Sequence, residues 1–483
     1  MPYHPGLEVG SPNSVSDDLV HIPDSEHQRG HGRGKRRPRW PSRALSIRNV
    51  SFMDATALYE PSVRTMSCRL DPFDTASVHI NHTVHGLLHY YLNCYHPNIW
   101  RYEPSSLQRK PSAFQNCIAR RVDVALKDTL LMNCLLGSVA SRIQYVDKSV
   151  QLPGACEMEL SCMQDALRLV RERIKDVEHQ DATFIEHTAN CIILLASAEG
   201  YQGNTGNARL HVQAAVQLLE SIGGVFALHD QYMLGHILSL DSLLSCAVLK
   251  PCMIKCDYDP GPASIEGLAK AEARSIRDDA TSEWMKGTLK LPLTLMWLIS
   301  EIVECHETKR RFETASRSFS QALAPSDWVT MRVLAIRSKL LSFSATDSTS
   351  NALRVALIMW TLLATEEWRQ MIVARTMTPK LRSIVGETLD WDGLEGVRFW
   401  VLLMGYFCAG ENSELQSWFA EQVRVVRKLH GSDLSIPFQK AERNDLLDDL
   451  ISLQRRFPYH ERVQRPLTRK LADWLLWWDD FMT

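Results

Sequence analysis

The chain has 483 residues, of which 45% are hydrophobic and 23% are charged, a balance typical of a globular protein with a large core. Its formal net charge at pH 7 is -2, so the molecule as a whole is not drawn to nucleic acid or to a membrane surface, and any such attraction is local. The longest apolar runs, Cys191 to Ala198 and Leu291 to Ile299, fall well short of the roughly 18 residues of a membrane-spanning helix, and the N-terminus shows no apolar signal region.

Residues 1–75 are predicted to form a disordered N-terminal arm, because Pro, Ser, Gly, His and charged residues dominate and apolar periodicity is missing. The arm contains the one dense basic run of the chain. Its cationic residues are Arg29, Arg33, Lys35, Arg36, Arg37 and Arg39. Such a run is typical of a nuclear-import signal or of a flexible arm that pairs with phosphates without reading bases, although solvated linkers also carry short basic runs.

Residues 76–483 are predicted to be all-α, a multi-helical bundle or solenoid-like body, since helical periodicity recurs and no alternating strand pattern persists. The first helix carries a histidine stripe beside its apolar one. The stripe consists of His82, His85, His89 and His96. Four histidines spread along one helix cannot share an ion, and no carboxylate or cysteine lies at ligand spacing, so an exposed or hydrogen-bonded face is expected.

Helices are predicted next at about Val122 to Val146 and Glu157 to Val177. The second of these has apolar residues at heptad spacing. They are Leu160, Met163, Leu167, Val170, Ile174 and Val177. A run of this length predicts a core-facing stripe rather than a true coiled coil.

The segment from Asp181 to Gly224 predicts a helical hairpin. Phe184 to Ala198 is almost wholly apolar and is expected to be a helix buried on most sides. A polar turn follows, whose Asn and Thr side chains are expected to cap the next helix. That helix has an apolar stripe and ends at Gly223 and Gly224. One member of the hairpin is therefore predicted to be central and the other peripheral.

The hairpin also carries a family resemblance. Its residues are, in order, Glu199, Gly203, Asn204, Thr205, Arg209, His211, Ala215, Leu218, Leu219, Gly223 and Gly224. This order resembles the second type of fungal-specific transcription factor domain, the all-helical regulatory half of many zinc binuclear cluster transcription factors. Similarity extends over about residues 76–260. Two positions depart from it, since the family usually has an aromatic residue at Ala208 and a glycine at Ala214.

The resemblance implies a nuclear transcriptional regulator that has no cofactor, metal or catalytic site. In the family, the helical body acts through intramolecular contact, dimerisation or small effectors. Protein partners, such as a DNA-binding transcription factor or a coactivator, and a homo- or heterodimer are expected. The polar motif residues are Glu199, Asn204, Arg209 and His211. Capping and buried hydrogen bonds account for them without a ligand, and an effector pocket is expected between helices, lined by aromatic residues.

The zinc cluster that usually reads DNA in this family is missing from the chain. It needs six closely spaced cysteines, and Cys68 is the only cysteine before Cys94. Regulation through a DNA-binding partner, weak contact by the basic arm and a gene model without the zinc cluster remain alternatives. The twelve cysteines are predicted to be reduced core thiols, including Cys246, Cys252 and Cys256.

The second half of the chain predicts further helices. Their approximate bounds are Gln231 to Leu249, Trp284 to His306, Asp327 to Leu341, Ala352 to Thr376, Gly396 to Cys408, Ser413 to Leu429 and Lys440 to Arg455. A proline-containing loop is expected from Pro251 to Ser264, a solvated insertion over residues 264–283 and a polar linker from Ser342 to Ser350.

The last helical segment permits two interpretations. Its aromatic residues are Trp474, Trp477, Trp478 and Phe481. They share a helical face and are expected to close the core. The alternative is an acidic and hydrophobic activation segment that offers this face to a coactivator groove.

An enzymatic function is not indicated. The sequence has no phosphate-binding glycine loop, dinucleotide fingerprint, nucleophile elbow or paired-histidine zinc helix. Its clustered aspartates, Asp278-Asp279 and Asp445 with Asp448-Asp449, lack the spacing of a magnesium and diphosphate site. A helical scaffold or adaptor unconnected with transcription is the alternative to a regulator.

Overall fold

A computed structural model describes residues 76–95, 113–175, 181–261, 291–314, 319–364, 368–386, 391, 393–410, 413–430 and 443–482. Within these ranges the chain forms fifteen α-helices and no strand, so the all-α prediction is confirmed. All of these residues belong to one compact unit, Asp54–Thr483. The basic arm lies outside the described residues, and its predicted boundary near residue 75 remains a prediction. No helix in the described part of the chain is long and apolar enough to cross a membrane.

Fifteen helices follow one another along the described part of the chain. The first seven are α1 His82–Tyr90, α2 Ala113–Ala125, α3 Thr129–Tyr145, α4 Ala155–Lys175, α5 Ala182–Tyr201, α6 Thr205–Glu220 and α7 Gln231–Val248. The remaining eight are α8 Leu293–Thr314, α9 Phe319–Ser342, α10 Ser348–Leu363, α11 Trp368–Gly386, α12 Glu395–Cys408, α13 Glu414–His430, α14 Arg443–Gln454 and α15 Glu461–Met482.

Helix α5 is the centre of the first hydrophobic core. Every residue from Thr188 to Ala198 is buried, and the helix packs against α3, α4, α6 and α7. Helix α6 buries only one stripe, which includes Val212 and Leu219. The predicted hairpin, with a central and a peripheral helix, is therefore confirmed.

A second hydrophobic core is built around α10 and α12. Nearly all of α10 from Ala352 to Leu363 is buried, and α12 is buried from Phe399 to Cys408. Helices α8, α9, α11, α13, α14 and α15 surround this pair. Such burial explains why residues 355–360 of α10 and 399–408 of α12 are apolar on all faces rather than on one stripe.

Helix α7 contributes to both cores. Leu234 and Ile237 lie in the first core, whereas Leu243 and Cys246 lie in the second. At its C-terminal end, the carbonyl oxygen of Ala247 accepts a hydrogen bond of 2.7 Å from the ammonium group of Lys380 on α11, as expected for a cation near the negative end of a helix dipole. Helix α7 thus connects the two halves of the body.

The buried face of α4 differs from the predicted heptad stripe. Leu160 and Ile174 are 61% and 45% exposed, so the stripe prediction is wrong at these positions. The buried face instead includes Glu159, whose Oε1 accepts a hydrogen bond of 2.7 Å from Ser141 on α3. Helix α4 also lies close to α3 at Gly137, where an added Cβ would meet a methionine sulfur at 3.0 Å. The close packing of α3 against α4 and the hydrogen bond between Ser141 and Glu159 therefore determine which face of α4 is buried. The spacing of its apolar residues does not predict this face.

Two helices predicted as continuous are divided in the structure. The segment from Val122 to Val146 breaks after Ala125, because the Asp128 carboxylate accepts a hydrogen bond of 2.9 Å from the Leu131 amide and starts α3. The segment from Ala352 to Thr376 is shared between α10 and α11.

The histidine stripe of α1 is not uniformly solvated. His85 is buried, and its Nδ1 has no hydrogen-bond partner. Burial, together with the neighbouring His89 and His82, lowers the pKa of His85, which favours the neutral ring at pH 7. The expectation of an exposed or hydrogen-bonded face is therefore wrong for His85.

Candidate functional site

The family motif lies in the hairpin turn, where a glycine is needed. Gly203 has a φ of +86°, which glycine adopts without a steric penalty. Asn204 precedes α6, but its side chain does not accept a hydrogen bond from the helix, so the capping prediction is wrong for this residue. With a ψ of 58° it lacks the extended backbone of a capping residue. Its Nδ2 instead donates to Gln202 Oε1 at 3.0 Å.

The C-terminal end of α6 uses the predicted glycine pair. Gly223 and Gly224 have φ values of +102° and +89°. The Gly224 amide donates to the Leu219 carbonyl at 2.9 Å, and the Gly223 amide donates to the Glu220 carbonyl at 3.2 Å. These bonds satisfy carbonyl groups that the helix end would otherwise leave free.

The hairpin turn is attached to α3 and α4 by a buried polar group. Gln202 Nε2 donates a hydrogen bond of 2.8 Å to Glu159 Oε1. The Ser141 hydroxyl donates to the same oxygen. Since Asn204 binds Gln202, the turn is held on this side by a continuous chain of hydrogen bonds.

On its other side, the hairpin is attached to α7 through Arg209. Its Nη1 donates to Ser245 Oγ at 2.8 Å. The Ser245 hydroxyl lies 3.3 Å from Asp241 Oδ1. Asp241 is 1% exposed, and its two oxygens accept hydrogen bonds from the amides of Met253 at 3.1 Å and Ile254 at 2.9 Å. The hairpin, α7 and the segment after α7 therefore share one polar network.

The pKa of Asp241 lies above its usual value because burial outweighs the groups that stabilise the charged carboxylate. Burial raises the pKa of Asp241, while the Ile254 and Met253 amides, Arg209 and Ser245 oppose that shift. Arg209 thus acts on the carboxylate through its charge as well as through Ser245.

The segment after α7, residues 250–261, is here called the bridging loop. It begins after Leu249, which has a left-handed φ of 56°, and its Lys250 amide donates to the Ser245 carbonyl at 3.1 Å. Ile254 lies in the first core. The Cys256 thiol donates to the Ala335 carbonyl of α9 at 3.7 Å. The loop is therefore in contact with both halves of the body.

The far end of the bridging loop is held by a charged cluster of Asp259, Glu301, Arg332 and Lys339. Arg332 Nη1 binds Asp259 Oδ1 at 2.6 Å, and its Nη2 binds Glu301 Oε1 at 2.5 Å. Lys339 Nζ lies 2.6 Å from Asp259 Oδ2 and 3.3 Å from Glu301 Oε2. Two carboxylates thus share two cations, and the Arg332 side chain is 1% exposed.

Burial alone would raise the pKa of Asp259. Hydrogen bonds from Lys339, the Gly261 amide and Arg332 outweigh burial and hold the pKa below its usual value. The carboxylate is therefore charged at neutral pH and contributes to stability there.

The histidine of the hairpin and the thiols near the bridging loop have pKa values that favour their uncharged forms at neutral pH. Burial lowers the pKa of His211, against an opposing effect of Glu199. Burial raises the pKa of Cys246 to about 11 and that of Cys252 to about 12, so both are protonated thiols at neutral pH. Among the described residues, no three His, Cys, Asp or Glu side chains are grouped to hold a metal ion.

The predicted activation segment lies in α15. Leu471 and Leu475 provide the buried contacts of this helix, and Trp474 packs at the margin of the second core. Trp477 is 57% exposed. The side chains of Trp478 and Phe481 lie outside the described residues, so both interpretations of the segment remain predictions.

Asp241 and Asp259 each accept several hydrogen bonds that hold the bridging loop, but neither residue was predicted from the sequence to have a role. Asp241 carries a usable signal, because it is the only acidic residue within the apolar run of α7. A lone carboxylate in such a run predicts a buried, hydrogen-bonded group. Asp259 lies in a polar loop and gives no comparable signal.

A family profile described as the fungal-specific transcription factor domain matches residues 86–372, more than half of the chain. The chain therefore belongs to the fungal-specific transcription factor domain family. The match confirms the resemblance and extends beyond residue 260 into α11. Family membership indicates transcriptional regulation, a non-enzymatic class of domain and a nuclear location in general. No curated protein and no solved structure matches the chain.

We expect Arg209→Ala to loosen the bridging loop without unfolding the body. Since a hydrogen bond from a charged group contributes roughly 1.5–3 kcal/mol, and Arg209 is only half-buried, amide exchange at Met253 and Ile254 should rise on the order of tenfold. Hydrogen exchange measures this directly, and the amides of α10 report any global loss of stability.

The matched control is Arg168→Ala. Among the described residues, Arg168 pairs with Asp165 and Glu172 of its own helix, and its side chain is 57% exposed, so its loss should leave exchange at residues 253 and 254 unchanged. Equal exchange in the two variants would show that Arg209 does not hold the loop.

Proposed function

We propose that this protein is a nuclear transcriptional regulator whose helical body is the regulatory domain and that it reaches DNA through a DNA-binding protein partner. The family match over residues 86–372 carries the proposal. The chain contains no run of six closely spaced cysteines, so a zinc cluster within these 483 residues does not supply the base contacts. A partner with its own DNA-binding domain supplies them.

The basic arm has a secondary role in this proposal. The six Arg and Lys residues of its basic run direct nuclear import and add weak, sequence-independent contact with phosphates. A net charge of only -2 for the chain supports a local contact of this kind rather than a general attraction to DNA.

The arrangement of the body supports a regulatory role. The family motif in the hairpin contacts the start of the bridging loop through Arg209, Ser245 and Asp241. The charged cluster holds the other end of the loop against α8 and α9. A partner or effector that shifts one end of this loop changes the packing at the other end, which is the physical requirement for coupling between two surfaces.

The partners are proteins: a DNA-binding transcription factor, a coactivator or a second helical body of this family in a homo- or heterodimer. The exposed Trp477 on α15, together with Trp478 and Phe481, is the segment proposed to contact a coactivator, and this role depends on the activation interpretation of the C-terminal helix.

We expect the tagged full-length protein to occupy discrete promoters, as measured by genome-wide chromatin immunoprecipitation. The comparison is a variant whose six arm residues are changed to Gln. The changed residues are Arg29, Arg33, Lys35, Arg36, Arg37 and Arg39. Both forms carry the same added import signal, so that nuclear entry does not differ between them.

Promoter peaks in both forms would support recruitment by a DNA-binding partner, and co-purification from chromatin would identify it. Peaks lost only in the arm variant would assign DNA contact to the arm instead of a partner. An absence of peaks in both nuclear forms would contradict the transcriptional function and favour a helical scaffold.

A further inference from the structure

An open groove of about 500 Å³ lies beside the start of the bridging loop. Its walls are Pro251 of the loop, the end of α9, the connection over residues 343–347 and the first turns of α10. A volume of this size is in the range of small-molecule sites, roughly 300–1,000 Å³. The groove therefore has room for a metabolite-sized ligand.

The lining of the groove is mainly polar. Its hydrogen-bonding side chains are Ser342, Ser344, Thr346, Asp347, Ser348, Asn351 and Arg354, and its one aromatic residue is Phe343. This lining differs from the aromatic pocket that the sequence predicts for an effector. Hydroxyl groups can both donate and accept hydrogen bonds, so they favour a ligand that itself carries hydroxyl groups.

Among the described residues that line the groove, Arg354 is the only cationic one. Its Nε and Nη2 donate to Asn351 Oδ1 at 3.2 Å and 2.9 Å. No carboxylate among the described residues forms an ion pair with Arg354, and its Nη1 remains available for a further bond. Burial lowers the pKa of Arg354, yet a guanidinium stays protonated in proteins. The groove thus contains a partly buried positive charge that is not paired with any carboxylate in the part of the chain that the structure describes.

Asp347, the single carboxylate among the described lining residues, already accepts several hydrogen bonds. Asp347 Oδ1 accepts a hydrogen bond of 2.7 Å from the Ser350 amide. Its Oδ2 accepts hydrogen bonds from the Ser350 hydroxyl at 2.7 Å and the Thr346 hydroxyl at 3.3 Å. Although burial would raise the pKa of Asp347, these bonds hold it below the usual value. Asp347 therefore caps the N-terminal end of α10 and forms no ion pair with Arg354.

We propose that this groove binds a small anion bearing several hydroxyl groups, with its phosphate or carboxylate group paired to Arg354 and its hydroxyl groups bonded to the Ser and Thr side chains. A planar guanidinium suits both kinds of anionic group, because it can donate two parallel hydrogen bonds.

The position of the groove connects this ligand to the hairpin. Pro251 forms part of the wall of the groove. Its carbonyl oxygen lies 3.4 Å from the Ser245 hydroxyl, which accepts a hydrogen bond from Arg209. A ligand seated against Pro251 restrains the start of the bridging loop. The regulatory meaning of the site rests on the proposed function, but ligand binding itself does not.

The test is isothermal titration calorimetry of the full-length protein with glucose 6-phosphate and with gluconate, with glucose as the neutral control. We expect one anion or both to bind and glucose not to bind. Arg354→Gln should weaken binding at least tenfold, and Arg354→Lys, which keeps the charge, should weaken it less. The matched control is Arg382→Gln, an arginine on α11 paired with Glu414, which should leave binding unchanged.

The two anions distinguish a phosphate ligand from a carboxylate ligand. No binding of either anion at millimolar concentration would overturn the proposal, as would equal affinity in wild type and Arg354→Gln. Equal weakening in Arg354→Gln and Arg382→Gln would also overturn it, because it would indicate general charge attraction. Thermal unfolding of each variant confirms that the fold is retained. Promoter occupancy is measured separately, so that failure of this site is distinguished from failure of the transcriptional function.

Discussion

Replacing Arg332 with Met is expected to lower the free energy of unfolding by about 3–5 kcal/mol, because loss of one partner leaves buried charge uncompensated. Asp259 and Glu301 would both lose the guanidinium that lies within 2.6 Å of each. Lys339 alone would then face two carboxylates. Since Asp259 ends the bridging loop, the variant should also release the loop from α8 and α9. Urea denaturation at pH 7 measures the change in stability.

The control for Arg332→Met is Arg465→Met. Arg465 is 49% exposed and pairs with Glu461 one turn away on α15, a type of contact that contributes about 0–1 kcal/mol. Equal losses of stability in the two variants would show that the charged cluster is no more important than a surface ion pair.

The pH dependence of the charged cluster has a definite sign. The folded-state pKa of Asp259 is below its ordinary value, so the carboxylate stabilises the fold at pH values above its unfolded pKa of about 3.9. This stabilisation is lost as the pH falls through the lower folded-state pKa. In Arg332→Met one of the interactions that depress the pKa is missing, so the acid-induced loss should be smaller than in wild type.

Gly405→Ala is the second variant with a large expected effect. A Cβ at Gly405 would overlap the ring of Phe419, which is fully buried where α13 packs against α12. The contact between the two helices leaves no free space for an added methyl group, since α12 is buried from Phe399 to Cys408. Overpacking of this kind costs about 1–3 kcal/mol or more, which exceeds the roughly 1 kcal/mol that Ala gains over Gly in a helix. The denaturation midpoint should therefore fall.

Gly206→Ala is the matched control, because a Cβ at this position of α6 would meet nothing within 4 Å. Its stability should be unchanged or increase by up to about 1 kcal/mol. In the Gly405→Ala background, Phe419→Leu should recover part of the lost stability by removing the overlapping ring atoms. A Gly405→Ala protein as stable as Gly206→Ala would contradict the close packing of α12 and α13.

Local sequence patterns were sufficient for the hairpin. Cys191 to Ala196 is apolar on every face, and such a run within a helix is buried on most sides. Gly203, Gly223 and Gly224 mark positions of positive φ, where glycine alone is unstrained. The order of polar residues between these glycines was also enough to identify the family.

The face of α4 and the role of Asn204 depended on tertiary contacts. Apolar spacing predicts that Leu160 is buried, yet the polar Glu159 is buried instead because Ser141 and Gln202, from other helices and turns, complete its hydrogen bonds. Asn204 has a capping residue's position but not its backbone conformation. Neither outcome follows from the residues next to these positions.

The sequence by itself therefore determined the helical class, the hairpin and the family, because helical periodicity and glycine backbone preferences act over a few residues. Tertiary structure alone decided the partners of Asp241 and Asp259, the path of the bridging loop between the two cores and the exposure of Arg354 in a polar groove. Asp259 and Arg332 are 73 positions apart, and a pairing over that distance is set by how whole helices pack. Periodicity within one helix carries no information about such a pairing.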